Sequence, residues 1–310
     1  MHARRTLLPD GRWHFQHGPI DIVIGADGHP DALQAAQAAA WQRFDGLLEE
    51  LVAELALLRQ PVGPGPCPLR GPVARRMWAA CRPHRSGFIT PMAAVAGSVA
   101  QELIGHYARP GVERAWINNG GDIALHLAPG RSLRIGLYAD IGRFDASEVR
   151  DGIRTDGWFD VDHELAVRGV ATSGWRGRSF SLGIADSVTV LARSAAEADA
   201  AATVIANAVD VDDARIVRRP ACELKDDSDL GALAVTVDVP RLDSATVQHA
   251  LRCGLQRAQA LHERGLIWSC ALVCQGMVAL AGERRAAPLH AAGAARQAAA
   301  AAHEYRRSPQ

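Results

Sequence analysis

Aromatic residues make up only 5% of this 310-residue chain, and it carries no net charge, with 34 Lys and Arg residues balancing 34 Asp and Glu. No basic stripe interleaved with aromatics occurs, so the electrostatic footprint of a nucleic-acid or acidic-membrane binder is missing. No apolar run reaches the length of a bilayer-crossing helix. Arg4 and Arg5 are followed by Asp10, Gly11, Arg12 and His14 rather than an apolar stretch, so no secretory signal or lipoprotein anchor is read there. A cytoplasmic address is expected, with no membrane or nucleic-acid partner.

Other absences narrow the chemistry. There is no Gly-x-Ser-x-Gly elbow of a serine hydrolase and no Gly-x-Gly-x-x-Gly after a strand. Cys270 and Cys274 have no second pair to complete a zinc site. All six cysteines (67, 81, 222, 253, 270 and 274) read as buried free thiols of a reducing compartment.

What is present can bury a full core. A strand at 20–24 precedes a helix over 31–58, with an apolar stripe at three-to-four spacing. Thr90 and Pro91 open a second helix, to about 107, as a capping hydroxyl followed by proline. Small residues at 93, 94, 96, 97 and 100 line it, for tight helix packing or for close approach of a ligand. Strands at 114–117, 123–127 and 133–137 read as an antiparallel meander. An irregular excursion (143–164) and strands at 165–172 and 187–191 follow. A helix over 195–209, a charged stretch at 215–229, a strand at 234–239, a helix over 244–264 and a hairpin at 268–281 complete the order. Lys225 to Asp229 reads as a solvated loop without special chemistry.

Three tracts carry candidate chemistry. Asp199 and Thr203 stand four apart in an alanine-rich helix, hence on one face. A carboxylate and a hydroxyl there suit a hard cation such as Mg²⁺; a side-chain hydrogen bond on a packed helix is the plainer alternative. Asn207 follows one turn later. In Asn118-Asn119-Gly120-Gly121-Asp122 the glycines permit positive φ and expose backbone to a ligand, while the same letters also write a hairpin turn. Asp122 can accept from a ligand or hold that turn. Arg178 beside Ser179 and Ser181 is a phosphate or carboxylate binder or a surface arginine. Asp186 is a turn residue or an acid/base, and His84, between Arg82 and Arg85, receives an anion or sits in a solvated loop.

Taken in order, Asn119–Asp122, the turn Ala171-Thr172-Ser173-Gly174 and the helix Ala198-Asp199-Ala-Ala-Ala-Thr203 resemble the ApbE-like superfamily, known for FAD:protein FMN transferases. The match spans roughly residues 80–210. It implies an α+β fold with mainly antiparallel sheets flanked by helices: one domain over 1–282, in two lobes with a cleft between them. Residues 283–310 are then an alanine-rich flexible tail. It further implies that Asp199 and Thr203 bind Mg²⁺ at a pyrophosphate. FAD or FMN is the implied ligand, against Thr90, Asn119, Gly120, Gly121, Asp122, Thr172, Ser173 and Gly174, with Asp122, Arg178 and Asp186 in catalytic roles.

Two departures bear on the reaction. The transferase segment His-x-x-Asp-Pro-x-Thr-Gly is absent between Gly174 and Asp199, and no lysine stands in 90–97. The expectation is therefore a Mg²⁺-dependent, transferase-related enzyme acting on or carrying a flavin or similar phosphorylated small molecule, poor at FMN transfer. A hydrolase or lyase for another small anion, and a non-catalytic binding module, are the alternatives. A homo-oligomer stays open.

Overall fold

The computed structural model describes residues 2–137 and 157–282. Its strands are β1 (Arg4–Leu7), β2 (Trp13–His17), β3 (Ile20–Gly28), β4 (Val112–Asn119), β5 (Asp122–Leu127), β6 (Ser132–Leu137) and β7 (Gly157–Asp162). They continue as β8 (Gly169–Ser173), β9 (Ser187–Ala192), β10 (Val217–Pro220), β11 (Ala234–Asp238), β12 (Ser269–Cys274) and β13 (Met277–Gly282). Nine of them form one sheet in the order β1-β2-β3-β4-β5-β8-β9-β12-β13, and the neighbours run antiparallel throughout. Two small ribbons, β6-β7 and β10-β11, stand apart from it.

The helices are α1 (Pro30–Asp45), α2 (Leu47–Ala53), α3 (Leu55–Leu58), α4 (Pro72–Cys81), α5 (Val95–Ile104), α6 (Ala195–Ala208), α7 (Ala221–Leu224) and α8 (Ser244–Glu263). The fold is α+β, as the sequence predicts. Alternation along a strand decides what each face meets. On β8, Ala171 joins a core with α6 and α8, while Val170 joins a core under the β6-β7 ribbon. Leu191 likewise goes to the ribbon side, and its neighbours Val190 and Ala192 go to the helices.

Helix α6 stitches two cores together. Ala195, Ala196 and Ala200 belong to the core of β2–β4 with α1, α2, α4 and α5, whereas Ala198, Ala201, Ala202 and Ile205 belong to the core shared with α8. A helix enclosed on most of its surface needs short side chains, and alanine supplies them at no cost in helix propensity. Its start is fixed by Ser194, whose hydroxyl accepts from the Glu197 amide at 3.3 Å. Small residues also explain α5: a Cβ on Gly97 would stand 2.3 Å from the Ala195 carbonyl oxygen. Tight helix packing therefore uses Gly97.

Several expectations are corrected. The helix over 31–58 is three, broken at Gly46 and again at Glu54, both with non-helical dihedrals. The meander stops at β5: β6 pairs with β7, across residues that the sequence reads as an irregular excursion. The rest of that excursion, and the 283–310 tail, lie outside the described residues. Strands β1 and β2 are additional; their mixture of Arg, His and Gln with Leu, Trp and Phe hides an edge pairing. The hairpin at 268–281 forms as β12-β13, with Gln275 and Gly276 both at positive φ in its turn.

Gly97→Ala forces overlap with a main-chain oxygen that no rotamer relieves. Urea denaturation is expected to show a loss of about 1–3 kcal/mol, the usual cost of overpacking. An unchanged midpoint would show that α5 and α6 can move apart freely.

Candidate functional site

A cleft of about 270 Å³ opens where the start of α5, one face of α6 and the loop after α7 meet. Thr90, Asp122, Arg178, Asp199 and Thr203, distant in sequence, all line it. Its floor is acidic. The Asp199 carboxylate accepts from the Gly97 amide at 2.9 Å, so the helix contact that excludes a side chain at 97 also aims this group. Asp122, at the first position of β5, is buried and takes the Thr172 amide. Burial pushes its carboxyl well above the usual range, and the charge of Asp199 pushes it further the same way. Asp199 is raised by burial too, opposed by the backbone amides of Gly97 and Ala96.

Thr203 lines the cleft from the next turn of α6, and Asn207 from the turn after that. The Asn207 amide oxygen is already engaged, accepting from the Leu182 amide at 2.9 Å and the Ser181 hydroxyl at 3.2 Å. It fixes Ser181 and Leu182, in the loop between β8 and β9, against α6. Apolar groups also line the cleft: Phe88, Met92, Val95, Phe180 and Leu230, with Phe88 42% exposed. An exposed aromatic beside a cleft offers a platform for a flat ring.

The other residues singled out by sequence take different places. Gly120 and Gly121 form the two-residue turn between β4 and β5, at φ +68° and +110°, and neither lines the cleft. The Arg178 guanidinium lies over that turn, 3.6 Å from where a Gly120 Cβ would be, so arginine occupies the approach that the glycines leave open. Asn119 ties the hairpin to α5 by donating to the Ala96 carbonyl at 3.1 Å. Thr172 shares a hydrogen bond with Thr189 across β8 and β9 at 2.9 Å. Ser173 follows on the same strand outside the cleft, and Gly174 is pressed onto the Asp186 carbonyl. None of the three lines the cleft, and Thr172 supports the floor by donating its amide to Asp122.

Asp186 does not line the cleft: its carboxylate accepts from the Gln275 amide at 2.5 Å and from the Trp175 indole at 3.3 Å, at the β12-β13 turn. Thr90 does not cap its helix; its hydroxyl donates to Asp229 at 2.5 Å. His84 is buried instead of solvated, and burial, with Arg264 and Arg257 nearby, lowers its pKa to about 4. The six cysteines are free, with Cys81, Cys270 and Cys274 buried and Cys222 exposed.

Sequence reasoning missed one wall. The loop 225–230, read as solvated and inert, closes the cleft with Lys225, Asp227 and Asp229. The signal was available in composition: Lys225 is the sole lysine in the sequence. Among the described residues no three His, Cys, Asp or Glu side chains cluster closely enough to hold a metal ion by themselves. Two carboxylates and a hydroxyl remain, hard oxygen donors that fit Mg²⁺ when water and a phosphate complete its shell.

This chain belongs to the family described as AbpE bacteria, whose model matches residues 5–280, and is thus a member of the ApbE-like superfamily. It is similar to a UPF0280 protein of Methanosphaerula palustris, 36% identical over 64% of this chain and 77% of that one. A UPF0280 protein of Methanopyrus kandleri is 36% identical over 70% and 83% of the two chains. Among solved structures it is similar to the apo form of the Pseudomonas stutzeri flavinyl transferase ApbE, at 11% identity over 92% and 96% of the chains, with a TM-score of 0.42. No helix among the described residues is long and apolar enough to cross a membrane.

The raised carboxyls have a consequence for stability. Folded values above the unfolded ones mean that the native state holds more protons, so stability falls as pH rises through the folded values. Asp199→Asn keeps an acceptor for Gly97 and removes one charge. In EDTA it is expected to raise the thermal midpoint at pH 8 and to change it much less at pH 5. A lower midpoint at pH 8 would make the carboxylate a structural anchor.

Proposed function

We propose that the cleft binds a flavin nucleotide, FMN or FAD, or a related phosphorylated aromatic molecule, together with Mg²⁺, in the cytoplasm. The observation that carries this is the pairing of Asp122 and Asp199 with the Thr203 hydroxyl on one floor, beside the Phe88 and Phe180 wall. Two buried carboxylates repel each other, and a divalent ion relieves that repulsion while engaging phosphate oxygens. The aromatic wall supplies the face for the ring. At about 270 Å³ the cleft lies near the lower end of small-molecule sites, which run roughly 300–1,000 Å³. It suits one ring system with its phosphate, and a dinucleotide would leave its second half outside.

Transfer of FMN onto a protein is not the activity proposed. The His-x-x-Asp-Pro-x-Thr-Gly segment is missing, and Asp186, the acid nearest in sequence to that gap, is committed to the β12-β13 turn. The protein is then an enzyme that uses a bound flavin or similar ligand in other chemistry, or a carrier of it.

Calorimetry with FMN in the presence of Mg²⁺ is expected to show saturable binding that EDTA removes and Asp199→Asn weakens by about tenfold or more, the scale of one charged contact. Metal-independent binding, unaffected by the substitution, would remove Asp199 from the metal role. Incubation with FAD, Mg²⁺ and a threonine-bearing target peptide should leave no fluorescent band in a denaturing gel. A strong band would show that the shorter 178–186 segment replaces the missing motif.

A further inference from the structure

Lys225 is the only lysine in a chain whose other cationic side chains are arginines, and it lines the same cleft as Asp122 and Asp199. The two residue types differ physically. Lysine is a compact, hydrated point charge on a flexible stem that can follow a phosphate, while the arginine fork prefers a fixed planar partner.

The loop that carries Lys225 is fastened on both sides of it. Its amide donates to the Ala221 carbonyl at 3.0 Å at the end of α7. Further on, Asp227 accepts from Arg59 at 2.7 Å, and Asp229 accepts from Thr90 at 2.5 Å. These contacts hold the backbone beside the cleft and use up the Arg59 charge. The Lys225 ammonium is held far more loosely. It lies 3.9 Å from Asp227, and the two side chains are 66% and 58% exposed. So long and open an ion pair contributes little. Arg178, the remaining cation of the cleft, lies across the Gly120 turn and donates to the Pro19 carbonyl at 3.4 Å.

We infer that Lys225 is the residue that reads the phosphate of the ligand, distinguishing a phosphorylated molecule from its unphosphorylated counterpart. This rests on the proposed function above, which places a phosphorylated ligand in the cleft, and adds the side chain that selects it. A phosphate seated between floor and wall meets the ammonium from the side that the floor carboxylates leave open. The aromatic wall contributes equally to both forms of the ligand, so the discrimination falls to the loop.

The pair FMN and riboflavin isolates that phosphate. With the full chain and Mg²⁺, the wild type is expected to bind FMN more tightly than riboflavin. Lys225→Ala should weaken FMN by about tenfold or more, the scale of one contact to a charged group, and leave riboflavin unchanged. Lys225→Arg, which keeps the charge, should recover part of the loss. Because the lysine is unique, its labelling is a second readout: acetic anhydride should modify Lys225 readily in the free protein and slowly with FMN and Mg²⁺, with no protection by riboflavin. FMN affinity and labelling that ignore both the variant and the ligand would overturn the assignment alone. A wild-type chain that binds neither FMN nor FAD would overturn the flavin reading and this assignment with it.

Discussion

The contact between Gly97 on α5 and the first turn of α6 is the constraint on which the site depends. Removing a Cβ at 97 lets the Ala195 carbonyl approach to a distance that no side chain tolerates. The same approach brings the Gly97 amide to 2.9 Å from Asp199. Helix packing and ligand geometry thus share a single residue. Any separation of the helices would loosen the two cores that α6 joins and turn Asp199 away from Asp122. A buried carboxylate held by fixed amides is preorganised, since nothing must rearrange when a cation or a phosphate arrives. The cost appears as elevated carboxyl pKa values, an unfavourable electrostatic state that packing elsewhere sustains.

Much of the fold was legible in the sequence because its strongest signals are local. The α6 pattern, the β12-β13 hairpin and the glycine turn at 120–121 each rest on spacing or on φ, and all three form. The departures come from tertiary choices. Nothing local tells β6 to pair with β7 instead of β5. Gly46 and Glu54, ordinary letters inside a long apolar periodicity, break one predicted helix into three. Strand β1, at the sheet edge and exposed throughout, carries Arg4, Arg5 and Thr6 because an edge faces water and must discourage further pairing, which erases the alternation that would reveal it.

The site was legible by half for a related reason. Asp122, Asp199, Thr203, Thr90 and Arg178 were found because a motif or a helical repeat marks them, and the structure brings them to one cleft. Gly120, Gly121, Asn119 and the 172–174 turn were marked by the same motifs yet serve as the frame beneath it. A motif records which residues a geometry requires, without separating those that touch a ligand from those that hold the floor. Asp186 illustrates the limit: an acid before a strand has the same letters whether it faces a cleft or accepts from the Gln275 amide.

The loop wall escaped because its residues are ordinary in every local respect. Lys225 to Asp229 is a short charged run, and charged runs are usually solvated. Only the fold reveals that Thr90 and Arg59 reach across to fasten it. The cleft therefore has two physically different sides. Floor residues are set by helix and sheet packing and cannot change without disturbing a core. The loop is held by its own backbone turns and by the Asp227 and Asp229 side chains, while Lys225 stays exposed. The cleft thus joins a packed acidic floor to a loop of mixed charge, in which the sole lysine stands beside Asp226, Asp227 and Asp229.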